Sequence, residues 1–454
     1  MKILLVRPRP HKDTIGLQHI MVCEPLELEY LIGNISNNIK NNISIEIVDM
    51  ILENRSFESI VEEKNPNMVF FTGYITHVGI IKECAKKVKE LSKDTLVGVG
   101  GVHAEVVPED FKDVNIDLVF KRNGIDGFNK VVELYLRGGS LEAIKREVEK
   151  TNISPINFKL KLPDRSLANK YKDKYYYMFH NPCALIKTSY GCPYACNFCF
   201  CKEITGGAYY SRTMKDVIDE LLLIKEEEVY IVDDDFLYGQ DKLREFIRLL
   251  KENNIKKKFL VYGRADFIVN NKKLIGDLKE VGLGAVIVGI ESIREKDLKG
   301  YNKGTSKSIN EACIRILKEL DIELYATMII PLDFSKEDFK TLVKWLNNLQ
   351  VAFVNLQPLT PLPGTSIFDD YKDRLLIKRE DYHMWDMAHV VLRPEKMSIR
   401  KFYFQMLKAY YKVIIKPKNA FRLIRKYGLY ENVKLLWRSQ RVSIQYMQKI
   451  WRGY

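Results

Sequence analysis

Gly191-Cys192-Pro193-Tyr194-Ala195-Cys196-Asn197-Phe198-Cys199 comes shortly after the apolar run Ala184 to Thr188 and sets three cysteines in a C-x3-C-x2-C spacing. Three thiolates so spaced can hold three irons of one iron-sulfur cube and leave the fourth iron without a protein ligand, so that a substrate can bind there. An electron-transfer cluster takes four cysteines, and a closed zinc site takes four ligands, usually from two paired knuckles or a Cys/His set. Neither pattern is present. Cys201 falls outside the spacing and reads as an ordinary small side chain near the site.

Outward from the triplet, the chain divides into two strand-helix patterns. Downstream, six strand-like runs, each followed by a helical segment, span Ala184 to Thr188, Val229 to Val232, Phe259 to Tyr262, Val286 to Ile290, Leu324 to Ile330 and Phe353 to Leu356. Six such units predict a partial (β/α)6 barrel of the TIM type, whose chemistry gathers at the carboxyl ends of the strands. Polar residues concentrate there: Asp233-Asp234-Asp235, Arg264 with Asp266, Glu291-Ser292 and Gln357. The first helix after the triplet starts at Thr213-Met214-Lys215-Asp216, a capping arrangement. Upstream, Lys2 to Val6, Ser44 to Val48, Met68 to Thr72, Thr95 to Val99 and Leu118 to Phe120 alternate with helical spacing such as Leu26 to Ile35 and Ile80 to Leu91. That alternation predicts an α/β, Rossmann-like, doubly wound parallel sheet with its ligand site at the strand ends, where Gly73 and Gly100-Gly101 would let a large ligand approach the backbone. The expected domains are 1-150 for this sheet, a linker at 151-183, the barrel at 184-395 and a basic helical region at 396-454.

Phe198, directly before Cys199, completes a C-x3-C-x-aromatic-C signature that resembles the radical S-adenosylmethionine (SAM) enzymes. In that family the open iron of a 4Fe-4S cluster chelates the amino and carboxylate groups of SAM, and reductive cleavage yields a 5'-deoxyadenosyl radical. The resemblance implies Cys192, Cys196 and Cys199 as cluster ligands and Phe198, Asp233, Asp235, Arg264, Glu291, Ser292 and Gln357 as SAM-binding residues. Those residue types suit the ligand, since a carboxylate can accept from a ribose diol or an ammonium and a guanidinium can hold a carboxylate at two points.

The Rossmann-like domain ahead of the barrel narrows the resemblance. With Gly100-Gly101-Val102-His103-Ala104 after its fourth strand, and with Asp233 to Leu237, Tyr262 to Asp266, Val288 to Ser292 and Pro361 to Thr365 in the barrel, the chain resembles the cobalamin-binding radical SAM family, which includes anaerobic Mg-protoporphyrin cyclase-like and hopanoid methylase-like members. Leu162-Pro163-Asp164-Arg165 matches a recurrent connector of that family. Two places depart from it: Glu27 stands where glycine is usual, and Arg122 to Gly127 replaces a Gly-Glu-Gly-Glu-like turn. The resemblance implies cobalamin held by Gly73, Tyr74, Thr76, Gly100, Gly101, Val102 and His103, with its own base displaced and no obligatory protein histidine on cobalt. Neither His77 nor His103 lies in an Asp-x-His-x-x-Gly motif, so a packing or loop role is the expectation for both.

The implied activity is C-methylation of an unactivated carbon, in which a deoxyadenosyl radical abstracts hydrogen and methylcobalamin supplies the methyl group. Two alternatives stay open: an oxidative cyclase or other non-methylating radical enzyme, and a cobalamin-binding sensor or carrier on a degenerate barrel. A small-molecule or lipid substrate and an external electron donor such as a flavodoxin or ferredoxin are expected.

The 454 residues carry eight cysteines without a disulfide-like framework and no run of some 18 apolar residues, which predicts a cytoplasmic enzyme. An oxygen-sensitive open cluster adds an anaerobic or strongly reducing setting. Of the net charge of +13, +12 falls in residues 401-454, where thirteen Lys or Arg face one acid, Glu431. The same segment interleaves Phe, Tyr, Trp and Leu at helical spacing. Such a segment reads as a membrane-surface element, as helices packed with a solvated basic face, or as a nucleic-acid patch; no nucleic-acid motif accompanies it, and no nucleic-acid partner is expected.

Overall fold

The computed structural model describes residues 1-16 and 19-452, apart from the side chain of Lys418. Five parallel strands, β1 (Lys2–Arg7), β2 (Ser44–Asp49), β3 (Met68–Thr72), β4 (Leu96–Gly100) and β5 (Leu118–Val119), form the first sheet in the order β2-β1-β3-β4-β5. Every residue of β3 is buried, because helices cover both faces and the strand needs no polar side. The order reverses between β1 and β3, so the ligand crevice of this doubly wound sheet opens at the carboxyl end of β3, next to Gly73.

The second sheet follows sequence order: β6 (Cys183–Ile186), β7 (Glu228–Ile231), β8 (Lys258–Gly263), β9 (Leu283–Glu291), β10 (Glu323–Ile330) and β11 (Phe353–Pro358) are each parallel to the next. This is a six-stranded partial barrel with open edges at β6 and β11. Its concave side is unusually aromatic: Tyr177 lies 5.1 Å from Tyr230 and 5.8 Å from Tyr325, and Tyr325 lies 5.1 Å from Phe353. The capping arrangement at Thr213 forms as expected, with Asp216 N–H donating to the Thr213 hydroxyl. The segment between the sheets is anchored rather than free: Tyr176–Tyr177 pairs with Met21–Val22, and the preceding helix Leu141–Ile153 runs past the expected boundary at 150.

After the barrel come helix Ile399–Ile414 and a helical run Pro417–Arg452 kinked at Gly428 (φ 81°). They pack on the barrel. Arg422 donates twice to Glu323 on β10, both at 2.8 Å, and the Tyr427 ring stacks 4.1 Å from Phe179. No helix among the described residues is long and apolar enough to cross a membrane.

The two sheets meet carboxyl end to carboxyl end. One apolar cluster contains Val6, Phe71 and Val99 of the first sheet together with Ile329, Leu359, Leu362 and Trp385 of the barrel side. At the barrel's β6 edge a buried ionic set crosses between the domains. Glu24 accepts from Leu185 N–H at 2.6 Å, while Arg165 donates to Glu220 and to Leu185 carbonyl, each at 2.7 Å. Arg212 reaches Glu220 at 2.6 Å and the Tyr30 hydroxyl at 3.1 Å. Three carboxylates thus meet two guanidinium groups. Burial pushes Glu24 up to about 7 and Glu29 well above the usual carboxylate range, and both Glu29 oxygens lack a hydrogen-bond partner, with Arg165 3.7 Å away.

Removing a cation from such a set leaves carboxylates buried and unpaired, at a cost of about 3–5 kcal/mol. Arg165→Met is therefore expected to lose that much in chemical denaturation followed by tryptophan fluorescence, whereas Glu29→Gln stays close to the parent. Equal midpoints for Arg165→Met and the parent would show that the ionic set does not join the domains.

Candidate functional site

The three cysteines ride on a loop between β6 and the helix Met214–Leu223, and four neighbours fix it. Asp233, at the end of β7, accepts from Thr188 N–H (2.6 Å), Thr188 Oγ1 (2.5 Å), Ser189 N–H (3.0 Å) and Ser189 Oγ (2.7 Å), which ties down the start of the loop. From the loop after β9, Asn302 Nδ2 donates to Ala195 carbonyl at 2.7 Å; Asn197 Nδ2 returns a bond to Gly300 carbonyl at 2.7 Å. Ile367 N–H, beyond β11, donates to Asn197 carbonyl at 3.0 Å. The Arg264 guanidinium stacks 3.8 Å over the Tyr194 ring.

Cys192, Cys196 and Cys199 are free and half-buried. Burial pushes the Cys192 thiol up to about 11 and raises Cys196, while the hydrogen bond with Cys201 lowers Cys199. Cys201 therefore lies beside Cys199, a proximity its sequence position did not announce. Among the described residues no three Cys, His, Asp or Glu side chains could hold a single metal ion. A cube places each thiolate on a separate iron and so spreads them apart, and a soft, all-thiolate donor set suits iron-sulfur chemistry.

The residues expected around SAM divide into two groups. Asp233 is saturated by Thr188 and Ser189 and acts as the tie of the cluster loop. Arg264 is committed to Asp266 at 3.0 Å, to Lys303 carbonyl at 2.7 Å and to Tyr194. Ser292 donates to Asp297 at 2.7 Å, and Glu291 accepts from Lys303 Nζ at 3.0 Å. Phe198 packs edge-on against Tyr301 at 5.7 Å. These side chains already have protein partners, so they shape the strand-end rim. Asp235 differs: it is 2 % exposed, both carboxylate oxygens are unpaired, and burial pushes it up to about 7 despite the nearby cations of Arg264, Lys242 and Lys303. A buried acceptor without a donor is where a ligand diol or ammonium fits. Gln357, half-buried on β11, makes no side-chain hydrogen bond among the described residues either.

Across the interface, Gly73, Tyr74 and Thr76 lie just past β3, and Gly100, Gly101, Val102 and His103 end β4 and start the short helix Val102–Val106. Gly101 has φ +96°, and a Cβ there would come 2.8 Å from Thr72 Oγ1 and 3.0 Å from Gly73 N, so the two strand ends close together only because it is glycine. A Cβ on Gly100 would meet only Phe120, at 3.7 Å, which leaves a bare rim that a flat macrocycle can approach. His103 is bound to Asp110 at 2.8 Å, and Asp110 also takes Arg379. His77 Nδ1 accepts Tyr74 N–H, and burial pushes that imidazole down to about 4. Neither ring is presented as a free ligand to the rim.

The two rims touch. Helix Val102–Val106 packs beside Cys201–Ile204, the turn that follows Cys199, and Gly364 lies so close that a Cβ would come 2.3 Å from Val106. Residues 186–346 match the Radical SAM superfamily model and residues 22–132 match the B12 binding domain model. The chain belongs to the cobalamin-binding radical SAM enzymes. It is 27% identical over 419 residues to a hopanoid C-3 methylase of Methylococcus capsulatus, covering 90% of this chain and 79% of that one. It is 23% identical to an anaerobic magnesium-protoporphyrin IX monomethyl ester cyclase of Cereibacter sphaeroides, covering 88% and 68%. The fold is shared with the radical SAM methyltransferase TsrM of Kitasatospora setae (TM-score 0.63, 17% identity, 82% and 78% covered). As a radical SAM enzyme with a B12 domain, it uses a 4Fe-4S cluster, SAM and cobalamin.

Sequence reading missed Tyr194, Asn197 and Lys303. Tyr194 and Asn197 lay inside the cysteine motif, where only Phe198 drew notice; Lys303 sits in a loop with no pattern of its own.

Alanine at Cys192, Cys196 or Cys199 is expected to abolish iron binding and SAM cleavage, and Cys201→Ala to keep both, as read by iron content and 5'-deoxyadenosine release. For Asp235 the folded pKa lies above the unfolded one. The stability it contributes is therefore full below about 4 and lost as pH rises through about 7. Asp235→Asn removes that loss, so the cofactor-free variant should gain on the order of a few kcal/mol over the parent at pH 8 and almost nothing at pH 4, while SAM affinity falls by about tenfold or more. Parallel pH profiles for the two proteins would show that Asp235 is not held protonated.

Proposed function

We propose that this enzyme is a C-methyltransferase that acts on an unactivated carbon of an apolar small-molecule or lipid substrate. The observation that carries the reading is the direct packing of the glycine rim on the cysteine loop through Val102–Val106 and Cys201–Ile204, which brings the two expected cofactor-binding segments next to each other. When bound, the cluster with SAM supplies a hydrogen-abstracting radical and cobalamin supplies a methyl group.

The chain's residues provide the rest. Tyr74, just past β3, and Tyr262, near the end of β8, keep 58% and 37% of their surface accessible. Accessible phenol rings at these strand ends favour a mostly apolar substrate. Asp235 and Gln357 supply unpaired acceptors for the nucleoside, while Asp233, Asn302 and Arg264 hold the cysteine loop still. Reducing equivalents come from an external carrier such as a flavodoxin or ferredoxin, and the setting is the cytoplasm. The resemblance to a hopanoid methylase over 90% of the chain supports methyl transfer and a lipid-like substrate.

Methyl-labelled SAM tests the reading. Incubated anaerobically with the reconstituted enzyme, a reductant and the lipid and small-molecule fractions of the parent cells, the label should enter a carbon-bound methyl of one product. Label recovered only in methionine, with 5'-deoxyadenosine formed, would instead identify a radical reaction without methyl transfer, as in the cyclase reading.

A further inference from the structure

The final helix has two contrasting faces. Its inner face carries Tyr446, buried against Tyr403 and Tyr410 of the preceding helix, and Gln445, which donates to Thr14 carbonyl at 2.9 Å. On the opposite face Val433 (54%), Leu436 (48%), Trp437 (67%), Ile444 (47%), Met447 (47%) and Trp451 (82%) have large fractions of their surface exposed. Their spacings of three, four and seven set them on one side of the helix as an apolar row, interrupted by Gln440 and Arg441. The polar residues exposed beside it include Arg441 and Arg452 and no acid, and the one acid of the segment, Glu431, is paired with Lys434 at 3.5 Å.

We propose that this stripe docks the enzyme in the plane of an anionic membrane surface. Soluble proteins seldom leave so many large apolar side chains in one exposed row without a partner. The charge around the row selects the partner. The exposed charges bordering the row, Arg441 and Arg452, are both positive, so a second copy placed on the same face would bring like charges together, whereas an anionic lipid surface complements them. Helix Ile399–Ile414 adds exposed Lys401, Lys408 and Lys412 with Phe404 and Tyr411 on its own outer side. Tryptophans at positions 437 and 451, about 21 Å apart along a helix, suit two anchors at the level of the headgroups. The docking is argued from this surface alone and stands apart from the methyl-transfer reading.

The test is sedimentation of the full-length enzyme with vesicles of phosphatidylcholine alone or with phosphatidylglycerol added. Binding is expected only to the phosphatidylglycerol vesicles, falling about tenfold or more between low and high salt. Trp437→Ser with Trp451→Ser should reduce it about tenfold or more, and Arg441→Gln with Arg452→Gln should reduce it less. All these side chains are exposed, and unchanged thermal unfolding confirms that each variant is folded. Enzyme left in the supernatant with anionic vesicles at low salt overturns the proposal, as does equal binding to both vesicle types. A self-associated enzyme in sedimentation velocity that the double tryptophan variant renders monomeric would assign the stripe to a second copy instead.

Discussion

The buried ionic set of Glu24, Glu220, Arg165 and Arg212 is the contact on which the arrangement of the two halves depends. Two parallel sheets that present their carboxyl ends to each other share little backbone pairing across the gap, and the apolar cluster around Phe71 and Trp385 is tolerant of small rotations. Charged groups buried at the edge are not tolerant. Each guanidinium has fixed donor directions, and a carboxylate left unpaired there costs several kcal/mol, so the domains meet in one register or lose the set. The same energetics explain the raised Glu29 carboxyl: with two cations for three acids, burial penalises a third negative charge.

Within that register, neighbours in sequence take opposite roles. Asp233 and Asp235 leave the same strand two residues apart, yet one meets four donors from Thr188 and Ser189 and the other meets none. The first spends its charge on fixing the cysteine loop. The second keeps unmet hydrogen-bonding capacity in a buried place, which destabilises the protein. One residue thus adds to stability and the other takes from it within three positions.

Most of the fold was legible. The six apolar runs of the barrel and the five of the first sheet appear as strands within a few residues of their expected limits, because both sheets are covered and long apolar runs have no other use there. The cofactor set was legible for a related reason: three thiolates at one spacing and glycines at strand ends leave few chemical alternatives. What stayed hidden was partnership. Nothing in Arg264, Ser292 or Glu291 as letters tells whether a ligand or a neighbouring Asp266, Asp297 or Lys303 holds the side chain, since those partners come from loops of no fixed pattern. Cys201 was hidden likewise: its contact with Cys199 follows from a helical turn beginning at that residue.

The basic tail shows why a sum of charges is a poor guide to function. Read as a total, thirteen cations in 54 residues leave a lipid surface and plain solvation both open. The fold separates them. Arg422 and Lys426 are bound to Glu323, and Arg438 stacks 3.8 Å over Tyr176, so these cations close the barrel's open side and are not available to an outside partner. Arg425, Arg441 and Arg452 remain exposed, and the last two flank Trp437 and Trp451, which are themselves largely exposed. The segment therefore does two kinds of work with one composition: its inner cations neutralise buried acids of the barrel, and its outer ones border an apolar row. Only the outer set can answer to salt, so the charge that governs association with an outside surface is much smaller than the sequence total.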